Sequence, residues 1–200
     1  MIFFFRLIKI LLILNLNCNI SMAEKSYQEC DGNISNLTKF SIKHYKKVRK
    51  WTECFGKGVG PNGAIYIGEF KDGKFHGKGI YTHEGREYNG NWKEGKKFGF
   101  GVYTYSNGDR FEGNWIKSEY DNNGKYFYSN GEIYIGEWKK DKYHQPDNGN
   151  EKHGKGTFFY LNGDVYSGYW KNGLKHGKGV LTKSDGTKIK SNWKKGKIKK

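Results

Sequence analysis

The feature that most constrains this chain is a motif that returns about every 22 or 23 residues. The motif has an aromatic residue, a glycine two places later, a second aromatic residue two places further, and then a Gly-x-Gly. The first copy shows it as Tyr66, Gly68 and Phe70, followed by Gly77 and Gly79. A repeat of this length indicates stacked supersecondary units, none of which buries enough surface to fold alone.

The later copies keep this motif with two interruptions. The third copy degrades after its second aromatic residue, and the fourth contains an insertion around residues 143–151. We expect the aromatic residues and glycines of the repeat to hold the array together. In the four later copies these positions are Tyr88, Gly90, Trp92, Gly99 and Gly101; Phe111, Gly113 and Trp115; Tyr134, Gly136, Trp138, Gly154 and Gly156; and Tyr166, Gly168, Trp170, Gly177 and Gly179.

Each copy has the pattern of one β-hairpin. Side chains alternate along a strand, so the two aromatic residues and the glycine between them share one face. The first strand ends at Asp72-Gly73, and later copies contain Asn-Gly, both of which are typical of hairpin turns. Glycines two apart, such as Gly77 and Gly79, would clear one face of the second strand for aromatic rings. We therefore predict an all-β fold, a single-layer elongated antiparallel sheet of tandem hairpins.

Composition agrees with burial by rings on a glycine backbone. Aromatic residues are 17% of the chain and all hydrophobic residues only 35%, while glycine occurs 29 times. The repeat divides the chain into a targeting segment (1–23), a polar basic lead-in (24–50), a half-repeat (51–65), the array (66–188) and a Lys-rich half-repeat (189–200). The copies lie near 66–87, 88–110, 111–133, 134–165 and 166–188.

The first 23 residues are typical of a secretory signal. Arg6 and Lys9 lie among apolar residues, an uncharged apolar run follows, and Ser21 and Ala23 are small residues at the positions that signal peptidase reads. The apolar run is short for a membrane span, so an uncleaved anchor is the less favoured alternative. We expect cleavage near Ala23 and a secreted or periplasmic mature chain.

Two cysteines follow this segment, at Cys30 and Cys54. A pair of cysteines in an exported chain favours one disulfide, which would close a loop of about 25 residues and stabilise the fold by roughly 3 kcal/mol. Zinc binding is the alternative, but neither cysteine has a second one at metal-ligand spacing. We predict a disulfide that caps the start of the array.

The net charge of the chain is +16, and nearly all of its basic residues are lysines. One interpretation is that the lysines solvate a two-sided sheet. The other is that they attract an anionic partner, such as a lipid surface. The sequence leaves both open.

The repeat resembles a known family. The runs 66–79 and 166–179 are similar to the MORN repeat (membrane occupation and recognition nexus), and the similarity extends over about residues 51–195. This resemblance implies the array of hairpins derived above. Cys30 and the lead-in around Trp51, Cys54 and Gly56 also resemble those of exported bacterial members of the family.

Several sequence patterns resemble ligand-binding sites but recur because the repeat recurs. Residues 149–156 are close to a phosphate-binding loop, but the hydroxyl residue comes one place late and the strand-loop-helix context is missing. His76, His153 and His176 each precede a Gly-Lys-Gly, and equivalent positions on successive hairpins lie about 10 Å apart, too far to share a metal ion. We expect no nucleotide, metal or cofactor at these positions.

The residue patterns that could indicate an active site are also weak evidence for one. Glu69 and Glu137 occupy matching positions, yet paired acid-base carboxylates need a pocket that one sheet face does not provide. Serines and histidines occur without a third partner or a strained turn. Interleaved lysines and aromatics also occur in proteins that bind single-stranded nucleic acid, but here the aromatics follow the repeat. We predict neither enzymatic activity nor nucleic-acid binding.

These observations favour a non-enzymatic scaffold in the cell envelope. We expect it to bind an envelope protein through its sheet face or a groove, or to self-associate through its exposed end strands. The lysines of residues 194–200 would discourage pairing at the C-terminal end by charge, which leaves the other end for a dimer. Peripheral binding to anionic lipid through the lysines is the alternative.

Overall fold

The computed structural model describes residues 28–30, 48–139 and 151–199 of the chain. The predicted signal, the cleavage position near Ala23, most of the lead-in and most of the insertion lie outside these residues. The predictions for those segments therefore stay predictions.

The described residues form one open sheet whose strands follow one another in sequence order. Its composition of tandem hairpins confirms the predicted fold class. The strands are β1 (Gln28–Glu29), β2 (Cys54–Val59), β3 (Ile65–Lys71), β4 (Lys74–His83), β5 (Arg86–Lys93), β6 (Lys96–Thr104), β7 (Arg110–Ile116), β8 (Glu119–Phe127), β9 (Ile133–Trp138), β10 (Lys152–Phe159), β11 (Val165–Lys171), β12 (Leu174–Thr182), β13 (Lys188–Lys194) and β14 (Lys197–Ile198).

One pair departs from the predicted antiparallel arrangement. Strand β1 runs parallel to β2, with Gln28 opposite Cys54. The Cys30 amide also donates to the Phe55 carbonyl at 2.9 Å, and a disulfide joins Cys30 to Cys54. The sheet is therefore mixed, because the lead-in reaches β2 from outside the array and does not arrive through a hairpin turn.

Two kinds of turn connect the strands. Asp72 and Gly73 both have positive φ values, 50° and 68°, so the β3–β4 connection is the two-residue hairpin turn whose twist matches that of the strands. The Asn107-Gly108 pair lies in a longer loop, in which only Gly108 has positive φ and the Tyr105 amide donates to the Asp109 carbonyl at 2.8 Å. The Asn-Gly signal thus marked a hairpin with a three-residue loop.

One side of the sheet, which we call the ring face, carries the core. Tyr88 has no exposed surface and meets Trp92 edge to face at 5.0 Å between ring centroids. It meets Trp115 of the next copy in the same way at 5.2 Å, so each hairpin is joined to its neighbour by ring contacts. The Trp92 Nε1 atom donates to the Gly79 carbonyl at 3.1 Å. The buried tyrosine thus couples adjacent copies and the indole fixes the backbone beneath.

A row of glycines explains how the rings fit. One glycine from each of β2 to β12 lies opposite a glycine of the neighbouring strand, for example Gly79 opposite Gly90 and Gly90 opposite Gly101. A Cβ atom on Gly101 would lie 2.3 Å from the Tyr88 hydroxyl oxygen and 2.5 and 2.6 Å from two atoms of its ring. At the end of the sheet Ser191 follows in this row, opposite Gly179. At the equivalent Gly168 a Cβ would lie 2.6 Å from the Gly179 Cα atom of the following strand and 2.7 Å from the Tyr166 hydroxyl. Ser191 meets neither obstacle, because β14 does not extend to this position and Ile189 replaces the tyrosine.

The first glycine of each Gly-x-Gly has a different reason from the one predicted. Gly77 does not lie beneath a ring. It has a φ of 51° in a bulge of β4, and a Cβ there would lie 1.9 Å from a Glu69 carboxylate oxygen. The interpretation that both glycines clear the ring face was therefore wrong for Gly77, because the bulge requires left-handed backbone there.

Candidate interaction surfaces

The side of the sheet opposite the rings, which we call the open face, is a candidate surface for binding a partner. Strand register aligns one side chain from each strand into a continuous row across it. From β2 to β13 this row is Lys57, Ile67, Ile80, Asn89, Val102, Glu112, Lys125, Ile135, Thr157, Ser167, Val180 and Lys190.

The first half of the open face is apolar and exposed. Ile67 and Ile80 lie opposite each other and keep 41% and 37% of their surfaces accessible. Phe55 and Phe100 extend the same face with 40% and 56% exposure. Single exposed apolar residues are ordinary, but several on one face of adjoining strands form a surface that favours contact with another molecule.

A shallow groove of about 320 Å³ lies beside this apolar region. Phe100 and Ile135 supply its apolar walls, and Asn123 its polar rim. Glu112 and Lys125, which face each other across β7 and β8, close one side. Most of its lining belongs to the third copy, which keeps only Gly124 of the later glycines of the repeat.

The second half of the open face is basic. Lys178 and Lys190 line a groove of about 530 Å³ together with Ser167, Val180 and Asn192. Over β11 to β13 the row holds Ser167, Val180 and Lys190, where β3 and β4 have Ile67 and Ile80. The arrangement offers cationic and hydroxyl groups to an anionic partner.

Three lysines lie on the ring face, which the sequence analysis missed. The ammonium group of Lys97 lies 4.1 Å from the Tyr103 ring centroid, 4.6 Å from that of Trp115 and 5.2 Å from that of Tyr88. Burial lowers the pKa of Lys97 to about 7. Attraction between the ammonium and the ring faces offsets part of that penalty.

Lys152 and Lys175 repeat this arrangement. Lys152 donates to the Tyr128 hydroxyl at 3.0 Å, and Lys175 lies 4.6 Å from the Trp193 ring centroid. Burial lowers the pKa of both lysines. Aligning the copies could have predicted that these lysines are buried, because the same position holds Phe75 in the first copy and an aromatic residue in the third. A position that accepts an aromatic ring is a core position, and these lysines are not surface solvation.

Buried aspartates tie successive loops together along one end of the strands. Asp109 accepts hydrogen bonds from the Tyr126 hydroxyl and the Ser129 amide, each at 2.7 Å. Burial alone would raise the pKa of Asp109, but these bonds hold it below its ordinary value. Asp164 makes the equivalent bond to the Ser184 amide at 3.0 Å. These aspartates are structural, and they were not singled out from the sequence.

The matched glutamates act on the backbone. A carboxylate oxygen of Glu69 accepts a hydrogen bond from the Lys78 amide at 2.7 Å, and Glu137 does the same for the Lys155 amide at 3.0 Å. Each carboxylate therefore accepts a hydrogen bond from the backbone N–H group that follows the first glycine of a Gly-x-Gly. The role of both glutamates is structural.

Two of the recurring histidines contribute to the repeat through their backbone carbonyls. The Tyr66 hydroxyl donates to the His76 carbonyl at 3.1 Å, and Tyr134 points in the same way at His153, at 3.5 Å. Among the described residues, no group of three or more His, Cys, Asp or Glu side chains is placed to hold a metal ion. Nor does this part of the chain contain a helix of the length and apolar character that a membrane crossing requires.

Comparison with protein families gives a match for the repeat over most of the array. The family model is that of the MORN repeat, and it matches residues 66–84, 88–110, 111–133, 134–144, 148–165 and 166–188. No curated protein matches the chain.

Several solved structures match the chain at low similarity. The TCP domain of Drosophila melanogaster SAS-4 in complex with a proline-rich motif of Ana2 is 12% identical, with a TM-score of 0.40 over 69% of this chain and 77% of that chain. The TCP10c domain of Drosophila melanogaster Sas-4 is 14% identical, with a TM-score of 0.30 over 69% and 91%. A streptogramin B lyase is 16% identical, with a TM-score of 0.16 over 70% and 40%.

Proposed function

Because the chain belongs to the MORN-repeat family, we propose that it is a non-enzymatic scaffold that binds an envelope protein through its open face. Repeats of this kind present long surfaces for partners, while their core only holds the copies in line.

The observation that carries this proposal is the division of labour between the two faces. On the ring face, the aromatic residues of the repeat are buried, and even the lysines there are surrounded by rings. On the open face, Ile67, Ile80 and Phe100 remain exposed beside a groove. Apolar residues that the fold does not need for its own core are available to a partner.

The disulfide supports the proposed location. Cys30 is 2% exposed and is bonded to Cys54, and structural disulfides persist in oxidising compartments outside the cytosol. Export with cleavage after Ala23 would give a mature chain that begins at Glu24. Mass spectrometry of the protein from its native cell tests this, and a chain that still carries residues 1–23 would contradict it.

Site-specific photocrosslinking in the native cell tests the binding face. A photoreactive amino acid replaces Ile80 or Phe100 on the open face, and Leu161, which is 66% exposed at a loop, serves as the matched control. We expect the two open-face positions to give the same discrete protein adduct and Leu161 to give none. An adduct at Leu161 alone would place the contact elsewhere and contradict the proposal.

The basic second half of the open face favours one alternative, peripheral binding to anionic lipid. Lys178 and Lys190 would supply the attraction, at about 1 kcal/mol for each lysine near the surface. Such binding should fall steeply as ionic strength rises and should be absent on neutral vesicles. Co-sedimentation with phosphatidylserine vesicles that responds neither to salt nor to lipid charge would exclude it.

A further inference from the structure

The last long strand of the sheet has one incompletely paired side. Strand β13 pairs with β12 from Lys188 to Trp193. On its other side, β14 pairs only with Trp193 and Lys194, and the Lys199 amide donates to the Asn192 carbonyl at 2.8 Å. In the described part of the chain, no strand pairs with the outer side of residues 188–191.

The free hydrogen-bonding groups on this edge can be assigned. Along an antiparallel strand, the N–H and C=O groups of alternate residues point to the same side. The Asn192 carbonyl points outward, because it accepts from Lys199. Lys190 and Lys188 therefore also direct their backbone donors and acceptors outward, where an added strand would find them.

The side chains of the edge alternate in character. Lys188 and Lys190 lie on the open face, opposite Thr182 and Val180 of β12. Ile189 lies on the ring face, opposite Leu181. A strand added to this edge would therefore place every second side chain beside a lysine and the ones between beside Ile189 or Ser191.

Charge decides which kind of strand fits. Residues 152–199 contain twelve lysines and only two aspartates. Both aspartates are already engaged, Asp164 with the Lys183 ammonium at 2.5 Å and Asp185 with the Thr187 amide at 2.8 Å. A second copy of β13 would bring lysine against lysine, which is unfavourable directly across strands. The edge is complementary to an extended segment with alternating carboxylates.

We propose that the outer edge of β13 is a docking site for an extended acidic strand of a partner protein. The strand continues the sheet through backbone hydrogen bonds to Lys188 and Lys190, and its carboxylates pair with the ammonium groups of the same residues. This site is separate from the apolar half of the open face and goes beyond the function proposed above.

A peptide of alternating glutamate and valine tests the site. Methylation of the backbone nitrogens on one edge leaves the other edge free to pair and prevents the peptide from aggregating. Fluorescence anisotropy with the full chain measures the affinity. We expect Lys190→Gln to weaken binding about threefold, the effect of losing one exposed ion pair. We expect Lys190→Pro, which also removes the outward N–H, to weaken it at least tenfold. Lys155→Gln on β10, away from the edge, is the matched control and should leave the affinity unchanged.

A second peptide keeps the experiment decisive if Lys190→Pro disturbs the fold. It has the same carboxylates but is methylated at every backbone nitrogen, and it should not bind the unmodified chain. Equal binding of both peptides would overturn the proposal, because charge alone would then explain the affinity. Phosphatidylserine vesicles that bind through Lys188 and Lys190 while neither peptide binds would also overturn it and assign the lysines to a lipid surface.

Discussion

The contact between a glycine and a tyrosine ring should govern the stability of each repeat, and Gly101 with Tyr88 tests it. Alanine at position 101 would put a Cβ atom 2.3 to 2.6 Å from three atoms of the Tyr88 side chain, its hydroxyl oxygen and two ring carbons. The ring cannot move freely, because it is fully buried between Trp92 and Trp115. Backbone or ring must shift by about 1 Å to restore ordinary contact distances.

The size of the effect follows from these contacts. Overpacking a well-packed core costs about 1–3 kcal/mol, and weakening two aromatic contacts adds roughly 0.5–1.5 kcal/mol for each. We therefore expect Gly101→Ala to lower the free energy of unfolding by about 3 kcal/mol. Gly95→Ala is the control for replacing a glycine that has open space around it. It carries only the strain of left-handed backbone, because Gly95 has a φ of 77°. It should cost only about 1 kcal/mol.

A double-mutant cycle separates the clash from other effects of the substitution. Tyr88→Ala alone should cost about 3–5 kcal/mol, as expected for deleting a buried aromatic ring. Once the ring is gone, adding Gly101→Ala should cost less than about 0.5 kcal/mol, so the coupling should approach 3 kcal/mol. Urea unfolding followed by tryptophan fluorescence measures all four proteins. Additive effects would refute the reasoning, since they would mean that the ring does not exclude the side chain.

Three further substitutions test the cap, the buried lysines and the buried aspartates. Replacing Cys30 and Cys54 by serine should lower the free energy of unfolding by about 3 kcal/mol, measured by urea unfolding of oxidised protein; an unchanged midpoint would contradict a stabilising cap. The folded-state pKa of Lys97 lies near 7, below its ordinary value of 10.5, so its contribution to stability is complete above about pH 10.5 and is lost as the pH falls to about 7. Lys97→Met should therefore gain stability relative to the unmodified chain at pH 7 and lose that advantage by pH 10, and a difference independent of pH would contradict this. Asp109→Ala should cost about 1–3 kcal/mol at pH 7, and the difference should shrink as the pH falls below about 3.8, since protonation removes the same interactions; a constant difference in acid unfolding would exclude the role.

The repeating part of the fold could be predicted because each element has a local cause. Tyr66 and Phe70 alternate with exposed residues, and Asp72-Gly73 forms the turn that such a pair favours. The family and the sheet of tandem hairpins are therefore confirmed. Only the parallel pairing of β1 differs, because nothing local in Gln28–Glu29 specifies the strand to which it adds.

The reason for individual glycines was harder to predict. Gly77 and Gly79 look equivalent in sequence, being two apart on one strand. In the structure, Gly79 lies beneath the Tyr66 ring, whereas Gly77 adopts left-handed backbone beside the Glu69 carboxylate. A bulge shifts the register between β3 and β4, and register shifts depend on the whole ladder and not on one strand.

Interaction surfaces depend even less on local pattern. The alternation of the strands shows that Ile80 and Lys190 share the face away from the rings, but it does not show that one row joins them or that Lys97 lies on the other side. Counting lysines treats all of them as one population, whereas the sheet divides them by face and by strand. This is why net charge alone left the anionic partner undecided, whereas the register supports our proposal for the edge of β13.

The two faces of the sheet differ in how many substitutions they can accept. Any side chain added to the glycine row on the ring face meets a ring, as Gly101 and Tyr88 show, so that face tolerates little change. The open face lacks this restriction, because no second layer of the described residues covers the row through Ile80 and Ser167. Ser191 shows the same rule at the edge, where a side chain enters the glycine row because no strand follows β13 there and Ile189 replaces the covering tyrosine. New binding specificity should arise on the open face and at the end of the sheet, which are the places where the structure can accept a different residue without losing its core.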